Sequence, residues 1–366
     1  MRIADLSTPC LVLDRAVLAR NIDGMAAVAA RQGVALRPHM KTAKSIAVAR
    51  MALAAGARGI TVSTLAEAAY FARHGLRDML YAVGITPRKL DAVATLNAGG
   101  ADVAVITDDP EAAETIAAHP APVRVLIEVD SGERRGGMAA ADDRLLAVAS
   151  RLGPRLAGVM THAGHSYAGR TAADMADLAE QERATIVHAA ERLRAAGHAV
   201  GIVSMGSSPT ARHARHLHGV TEIRAGVYMF GDLFQAGIHT HGLADIALTV
   251  LASVIGRRPD EHRFLVDAGG MALSKDRSTA AGPVDWGFGR VLGVDGSDRF
   301  AGATVVSAYQ EHGVVACGAG VALPAVGDLV RIEPNHTCMT AAAHERYHVV
   351  DGGDAVVAVW DRVNGW

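Results

Sequence analysis

The chain has 366 residues, half of them hydrophobic and 20% charged, with 36 Lys and Arg against 38 Asp and Glu for a net charge of −2. That balance excludes a strongly basic nucleic-acid binder and a highly charged disordered chain, and the apolar content supplies material for a sizeable core. No apolar run approaches the ~20 residues of a membrane span, and the N-terminal stretch, with Asp5 and Asp14, lacks the apolar core of a signal peptide.

In chain order, Pro9 to Leu13 is an opening strand candidate. From Ala35 to Phe230, short β-branched runs then alternate with Ala-rich amphipathic stretches. The predicted strands are Ala35 to Lys41, Gly59 to Ser63, Met79 to Val83, Asp102 to Thr107, Val123 to Val129, Leu156 to His162, Gly201 to Met205 and Glu222 to Phe230. Helices are expected at Ile46 to Ala55, Leu65 to His74, Asp143 to Leu152, Ala173 to Ala196 and Pro209 to Leu217. Ser63 and Thr64 before Leu65, and Ser208 before Pro209, are the expected N-caps. Eight strands alternating with helices point to a (β/α)8 TIM barrel, with an open doubly wound sheet as the competing arrangement. After Gly242 the pattern becomes short strands broken by Gly, Pro and Asp, at 246–256, 262–269, 304–317, 329–334 and 355–360. The expected division is a barrel over 12–242 and an all-β domain over 243–366, joined by 1–11.

Several strand ends carry chemistry. If Ala35 to Lys41 is extended, Arg37, His39 and Lys41 share one face, and three bases aimed into a barrel need an anion or a function to meet them. Lys41 falls at the C-terminal end of its strand, where barrel active sites sit. It either reaches solvent there or serves as a lysine of lowered pKa able to form a Schiff base. Gly206, Ser207 and Ser208 follow the seventh strand and Gly226 and Tyr228 lie in the eighth, the usual phosphate position of this fold; a plain loop is the alternative. Arg134 and Arg135 follow the fifth strand, and His162, His165 and Tyr167 the sixth. In the β region, an extended Ile332 to Cys338 would put His336 and Cys338 on one face. They are then either a metal pair, with Zn²⁺ favoured by the thiolate, or a surface histidine beside a small buried thiol.

Six motifs in order, Arg37 to Thr42, Thr161 to Tyr167, Gly206 to Thr210, Arg224 to Tyr228, Gln310 to Gly313 and Pro334 to Cys338, resemble the D-serine dehydratase and D-threonine aldolase family. The resemblance reaches the closing Trp360 to Trp366. It implies a fold-type III pyridoxal 5′-phosphate enzyme with an alanine-racemase-like barrel and a C-terminal β domain. It further implies Lys41 as the Schiff-base lysine, Tyr167 against the cofactor ring and Arg135 near the pyridine nitrogen. His162 and His165 join the catalytic candidates by position, converging on the same rim as Lys41, with hydrogen-bonded core histidines as the alternative. Gly206, Ser207, Ser208, Gly226 and Tyr228 are implied as phosphate holders, and His336 and Cys338 as ligands of Zn²⁺, Mn²⁺ or another divalent metal.

The implied activity is a lyase acting on a D-3-hydroxy amino acid, first as a dehydratase giving a 2-oxo acid and ammonia. An aldolase giving glycine and an aldehyde is the alternative, and a racemase or a cofactor-binding protein without turnover stands behind both. The family aldolases tend to carry aspartate at the position of Cys338, which favours the dehydratase. A histidine at 165, where the dehydratases more often carry Ser or Asn, keeps the aldolase open. Serine, threonine, 3-hydroxyaspartate and phenylserine all remain open as substrates. With only Cys10, Cys317 and Cys338, the expected compartment is the reducing cytoplasm, with no membrane or nucleic-acid partner and a homodimer as the expected assembly.

Overall fold

The computed structural model describes all 366 residues. By internal contacts the chain divides into two compact units, residues 23–226 with 363–366 and residues 1–22 with 227–362. In chain order the first elements are strand β1 (Cys10–Asp14), helix α1 (Arg15–Gln32), β2 (Ala35–Leu36), α2 (Ile46–Ala54), β3 (Ile60–Val62) and α3 (Leu65–Arg73). There follow β4 (Asp78–Gly84), α4 (Leu90–Ala98), β5 (Asp102–Thr107), α5 (Pro110–Ala118), β6 (Val125–Asp130), the two-residue β7 (Met138–Ala139) and α6 (Arg144–Leu152). Then come β8 (Leu156–Thr161), α7 (Ala172–Ala195), β9 (Ile202–Met205), α8 (Ser208–His213) and β10 (Glu222–Ile223).

In the first unit, eight parallel strands lie in the order β2-β10-β9-β8-β6-β5-β4-β3, with β7 appended to β6. The ring closes between its ends: His39 bridges Thr61, the Met40 amide donates to the Thr61 carbonyl at 2.8 Å, and the Thr61 amide donates to Pro38 at 2.9 Å. This is the expected (β/α)8 barrel. Leu80, Ala104, Ile106, Leu126 and Met160, from neighbouring strands, form one apolar cluster. Helices begin where the sequence supplies caps. The Thr64 hydroxyl accepts from the Glu67 amide at 3.0 Å, and Thr171 with Asp174 makes a reciprocal capping box at the head of the 24-residue α7.

Three local expectations are corrected. The first barrel strand is regular only over Ala35–Leu36, because Pro38 has no amide hydrogen to give a ladder. Its continuation is held by the Arg37 and His39 amides donating to Ile223 and Ala225, each at 2.9 Å. The eighth strand stops at Ile223, and Val227–Met229 forms a 3-10 turn. The cap before Pro209 is Ser207, not Ser208, and its helix ends at His213 rather than Leu217.

The second unit contains α9 (Leu233–Gly237), β11 (Leu248–Arg258), β12 (Arg263–Val266), α10 (Gly270–Leu273), β13 (Arg290–Gly293), β14 (Thr304–Ala308) and β15 (Gly313–Ala316). It ends with β16 (Leu329–Glu333), α11 (Thr337–Ala342), β17 (Arg346–Val350) and β18 (Ala358–Asp361). Its sheet order is β12-β15-β14-β13-β16-β11-β1-β17-β18. Since β12 also pairs with β11, six antiparallel strands close into a small barrel. The long β11 bends at a bulge between Val254 and Gly256 so that it serves both neighbours. The opening strand β1 inserts between β11, antiparallel, and β17, parallel. Strands β13 and β17 have no counterpart among the sequence expectations.

Candidate active site

The barrel residues singled out in the sequence follow the C-terminal ends of their strands. Arg37 is buried but is not aimed at a ligand: its guanidinium forms an ion pair with Glu222 at 2.9 Å and with Asp78 at 2.9 Å. His39 is buried, whereas Lys41 is exposed. The Lys41 amide donates to His39 Nδ1 at 3.4 Å, which marks that nitrogen as the acceptor of the ring. His162 Nδ1 faces the Gly206 carbonyl at 3.4 Å. A carbonyl only accepts, so Nδ1 carries the proton and Nε2 keeps its lone pair.

Electrostatics around these imidazoles is one-sided. Burial, then the charges of Lys41, Arg224, His162 and Arg135, hold His39 well below the usual histidine range. Burial, followed by Lys41, Arg224 and Arg135, lowers His162 to about 3 against a small upward pull from the Gly206 carbonyl. Both rings are therefore neutral near pH 7. The buried cation beside them is Arg224. Its Nε donates to Ser204 Oγ at 2.8 Å, its Nη2 donates to the Thr161 carbonyl, and burial depresses it against the carboxylates Glu222, Glu182 and Glu128.

The glycine-rich loop sits beside the histidines. Gly206 has φ +118°, a conformation that favours glycine, and a Cβ there would meet the Arg224 amide nitrogen at 3.2 Å. At Gly226 a Cβ would meet the His39 carbonyl oxygen at 2.7 Å, so the two backbones touch only because this residue is glycine. Ser207 Oγ lies 3.0 Å from Ser166 Oγ and 3.1 Å from Thr210 Oγ1. The Ser207 amide donates to Thr210 and the Gly206 amide to Glu182 Oε1, so these two N–H groups are already engaged. Ser208 is buried at the first position of α8. Tyr228, in the other unit, is buried in its 3-10 turn, and burial pushes its phenol up.

Tyr167 and His165 share the single turn Gly164–Ala168, and the Tyr167 ring centroid lies 6.4 Å from that of His162. Both ring nitrogens of His165 are buried with no protein partner. Arg135 is more open: its side chain is 56% exposed, with Glu128 at 3.8 Å and Glu133 at 3.5 Å.

His336 and Cys338 do come together, by a different local structure from the extended one expected. Strand β16 ends at Glu333, His336 is the residue before α11, and Cys338 lies in that helix's first turn. The chain turns helical because the Thr337 amide donates to Asp232 Oδ2 at 3.1 Å and the Thr337 hydroxyl donates to the Gly231 carbonyl. His336 Nδ1 contacts Asp276 Oδ2 at 3.3 Å. Burial lowers this imidazole, but hydrogen bonds with Asp276 and Cys338, and the charges of Cys338 and Asp232, raise it to about 11. Asp276 in turn is held near 2: burial opposes this, and hydrogen bonds from His336 and Ser278 prevail. No group of three or more His, Cys, Asp or Glu side chains is arranged to hold a metal ion.

Sequence reasoning missed Glu182, Arg224 and Asp276 as contributors to these sites. Glu182 reads as an ordinary polar position of an amphipathic helix, and Asp276 is far from His336 along the chain. Only the Arg-Ala-Gly-Val-Tyr motif carried a signal, for Arg224.

The alanine racemase N-terminal domain profile matches residues 13–233, and the putative serine dehydratase domain matches residues 247–350. The chain is 44% identical to D-threo-3-hydroxyaspartate dehydratase of Delftia sp. (strain HT23), covering 99% of this chain and 98% of that one. It is 30% identical to D-serine dehydratase of Dictyostelium discoideum (97% and 96% covered) and 32% identical to D-threonine aldolase of Arthrobacter sp. (98% and 93%). The solved structure of the Delftia dehydratase superposes with a TM-score of 0.95 at 43% identity, covering all of both chains. A cysteine-to-alanine mutant of D-threo-3-hydroxyaspartate dehydratase, in a metal-free form, superposes with 0.96 at 43% identity over all of both chains.

Proposed function

We propose that this chain, which belongs to the D-serine dehydratase and D-threonine aldolase family of pyridoxal-phosphate-dependent lyases, dehydrates D-3-hydroxy amino acids to a 2-oxo acid and ammonia, with D-threo-3-hydroxyaspartate as the first substrate to test. The observation that carries the reading is the Cys338 thiol paired with the His336 imidazole, in a chain 44% identical to a dehydratase of that substrate.

The barrel residues fit the cofactor. An exposed primary amine stands among Arg224, Arg135 and two imidazoles that burial, reinforced by these cations, keeps neutral, a field that suits a phosphate and a carboxylate. The buried, unpartnered nitrogens of His165 are further polar atoms that a ligand would satisfy. Lys41 would hold the cofactor aldehyde, Gly206, Ser207, Ser208, Gly226 and Tyr228 would line its phosphate, with the Gly206 and Ser207 amides kept by Glu182 and Thr210 to fix the loop, Tyr167 would face its ring and Arg135 the pyridine nitrogen, with Arg224 the buried cation of the same loops.

His336 and Cys338 fit a divalent metal. Asp276 holds Nδ1 and orients the ring, so that His336 would coordinate through Nε2 once a metal displaced the proton it carries beside Cys338, and two protein ligands would leave open positions. The thiolate favours Zn²⁺ over a harder ion. When bound, pyridoxal phosphate supplies an electron sink at Cα and the metal supplies positive charge for a departing hydroxyl. Lys41 Nζ takes the proton from Cα. Neutral His39 and His162 accept hydrogen bonds without adding a competing acid.

Retro-aldol cleavage is the second reading, favoured by His165, whose unpartnered ring nitrogens are available to take a hydroxyl proton. No helix is long and apolar enough to cross a membrane, and three cysteines that form no disulfide suit a reducing cytoplasm.

The deciding experiment measures ammonia, 2-oxo acid and glycine from D-threo-3-hydroxyaspartate, D-serine and D-threonine, with and without EDTA. Ammonia and 2-oxo acid in equal amounts, no glycine, and loss of activity on chelation with recovery in Zn²⁺ are expected. Glycine with an aldehyde overturns dehydration, and turnover that survives metal removal overturns both lyase readings.

A further inference from the structure

Glu182 is a fully buried carboxylate on α7 with no part in the chemistry above. A single oxygen of it, Oε1, accepts two backbone N–H groups from different loops: Ala163, directly after His162, at 3.0 Å, and Gly206 at 2.9 Å. Its Oε2 has no partner. Gly206 is also the residue whose carbonyl, in the next peptide unit, faces His162 Nδ1 at 3.4 Å. These bonds close a ring: Glu182 holds the backbone that follows His162 and the backbone to which the His162 ring is tied. The carboxylate also hydrogen-bonds the Thr210 side chain, which accepts from the Ser207 amide at 3.0 Å. One side chain thus braces the histidine loop and the Gly206–Ser207 loop from beneath.

Burying a carboxylate is costly, and burial does raise Glu182 above its ordinary range. A helix position facing the barrel is filled at less cost by an apolar residue, as Ile186 and Ala189 do on the same helix. What an apolar residue lacks is an acceptor for two otherwise unsatisfied amides.

We infer that Glu182 is a positioning residue that fixes the His162 loop and the Gly206–Ser207 loop in register for the cofactor by accepting both of their amides on one oxygen. The inference rests on the reading of Lys41 and these loops as the pyridoxal-phosphate site. It is a statement about reach rather than charge: an amide oxygen at the same distance does the work, and a carboxylate one methylene shorter does not.

Glu182→Gln keeps the reach and loses the charge, whereas Glu182→Asp keeps the charge and loses the reach. Each is purified beside wild type and Lys41→Ala. The readouts are far-UV circular dichroism, the Kd for added pyridoxal phosphate from its visible lysine-bound band, and the kcat and KM of the loaded enzyme. Glu182→Gln is expected to bind the cofactor within about threefold of wild type, and Glu182→Asp to bind it about tenfold or more weakly, as two lost backbone bonds imply. The Glu182→Asp loss is expected in kcat rather than KM, with unchanged circular dichroism. Equal binding by both variants and wild type, or a Glu182→Gln no better than Glu182→Asp, overturns the inference. If Glu182→Asp fails to fold, Glu182→Gln decides alone, because a tenfold weaker Kd in it is incompatible with a role of reach. A wild type without the visible band, or a Lys41→Ala that keeps it, overturns the cofactor reading instead.

Discussion

His162 shows how a residue's surroundings set its chemistry. Its folded pKa of about 3 lies far below the unfolded value near 6.5, because burial and then three cations disfavour the imidazolium. At pH above about 6.5 neither state is protonated and nothing is lost. As pH falls below 6.5 the unfolded chain takes up a proton that the folded chain refuses, so stability is lost progressively toward pH 3. His39 adds a loss of the same sign. Lowering the pH from about 7.5 to about 5 is expected to lower the thermal midpoint of wild type, and to lower that of His162→Gln by less. Equal drops would show that His162 is not held neutral.

Cys338 is the other residue on which a functional choice turns. With Cys338 as the proposed metal ligand, replacing its sulfur with a carboxylate would favour a harder ion such as Mn²⁺ over Zn²⁺. Cys338→Asp is expected to lose dehydration by about 10- to 100-fold or more, the scale on which changes at metal ligands and their supports act. Glycine formed from the same D-3-hydroxy amino acid in Mn²⁺ would mark a gained retro-aldol cleavage. Full ammonia production by the variant in Zn²⁺ would remove Cys338 from the metal site.

At the scale of elements, the barrel strands and helices were legible because each depends on a period within its own residues. The extended reading of Ala35 to Lys41 failed at Pro38, where one missing N–H ends the regular ladder and neighbouring chains take over the pairing. The extended reading of Ile332 to Cys338 failed because Asp232 and the Gly231 carbonyl, about a hundred residues away, take the Thr337 donors and start a helix. Strand β1 is the reverse case: a local run of five residues was readable, and its place between β11 and β17 came from the far end of the chain. Leu11, Val12 and Leu13 are fully buried there. Leu11→Ala is expected to lower the unfolding free energy by about 2–5 kcal/mol, read from the urea midpoint. A change below about 0.5 kcal/mol would mean that β1 is not integral to that sheet.

Over the whole molecule, the alternation of strand and helix, the switch to short strands after Gly242, the family and the motifs with Lys41, His336 and Cys338 were all determined by the sequence itself. Periodicity and spacing are local properties that a chain carries before it folds. Only the tertiary structure decided that the barrel closes through His39 and Thr61, that Arg37 is neutralised by Glu222 and Asp78, and that Asp276 stands behind His336. The same holds for the neutrality of His39 and His162 and for the two loops resting on Glu182. A charged residue in a sequence looks the same whether it will meet water or another buried group. Its ionisation and its hydrogen-bond partners exist only once distant segments have excluded the solvent around it.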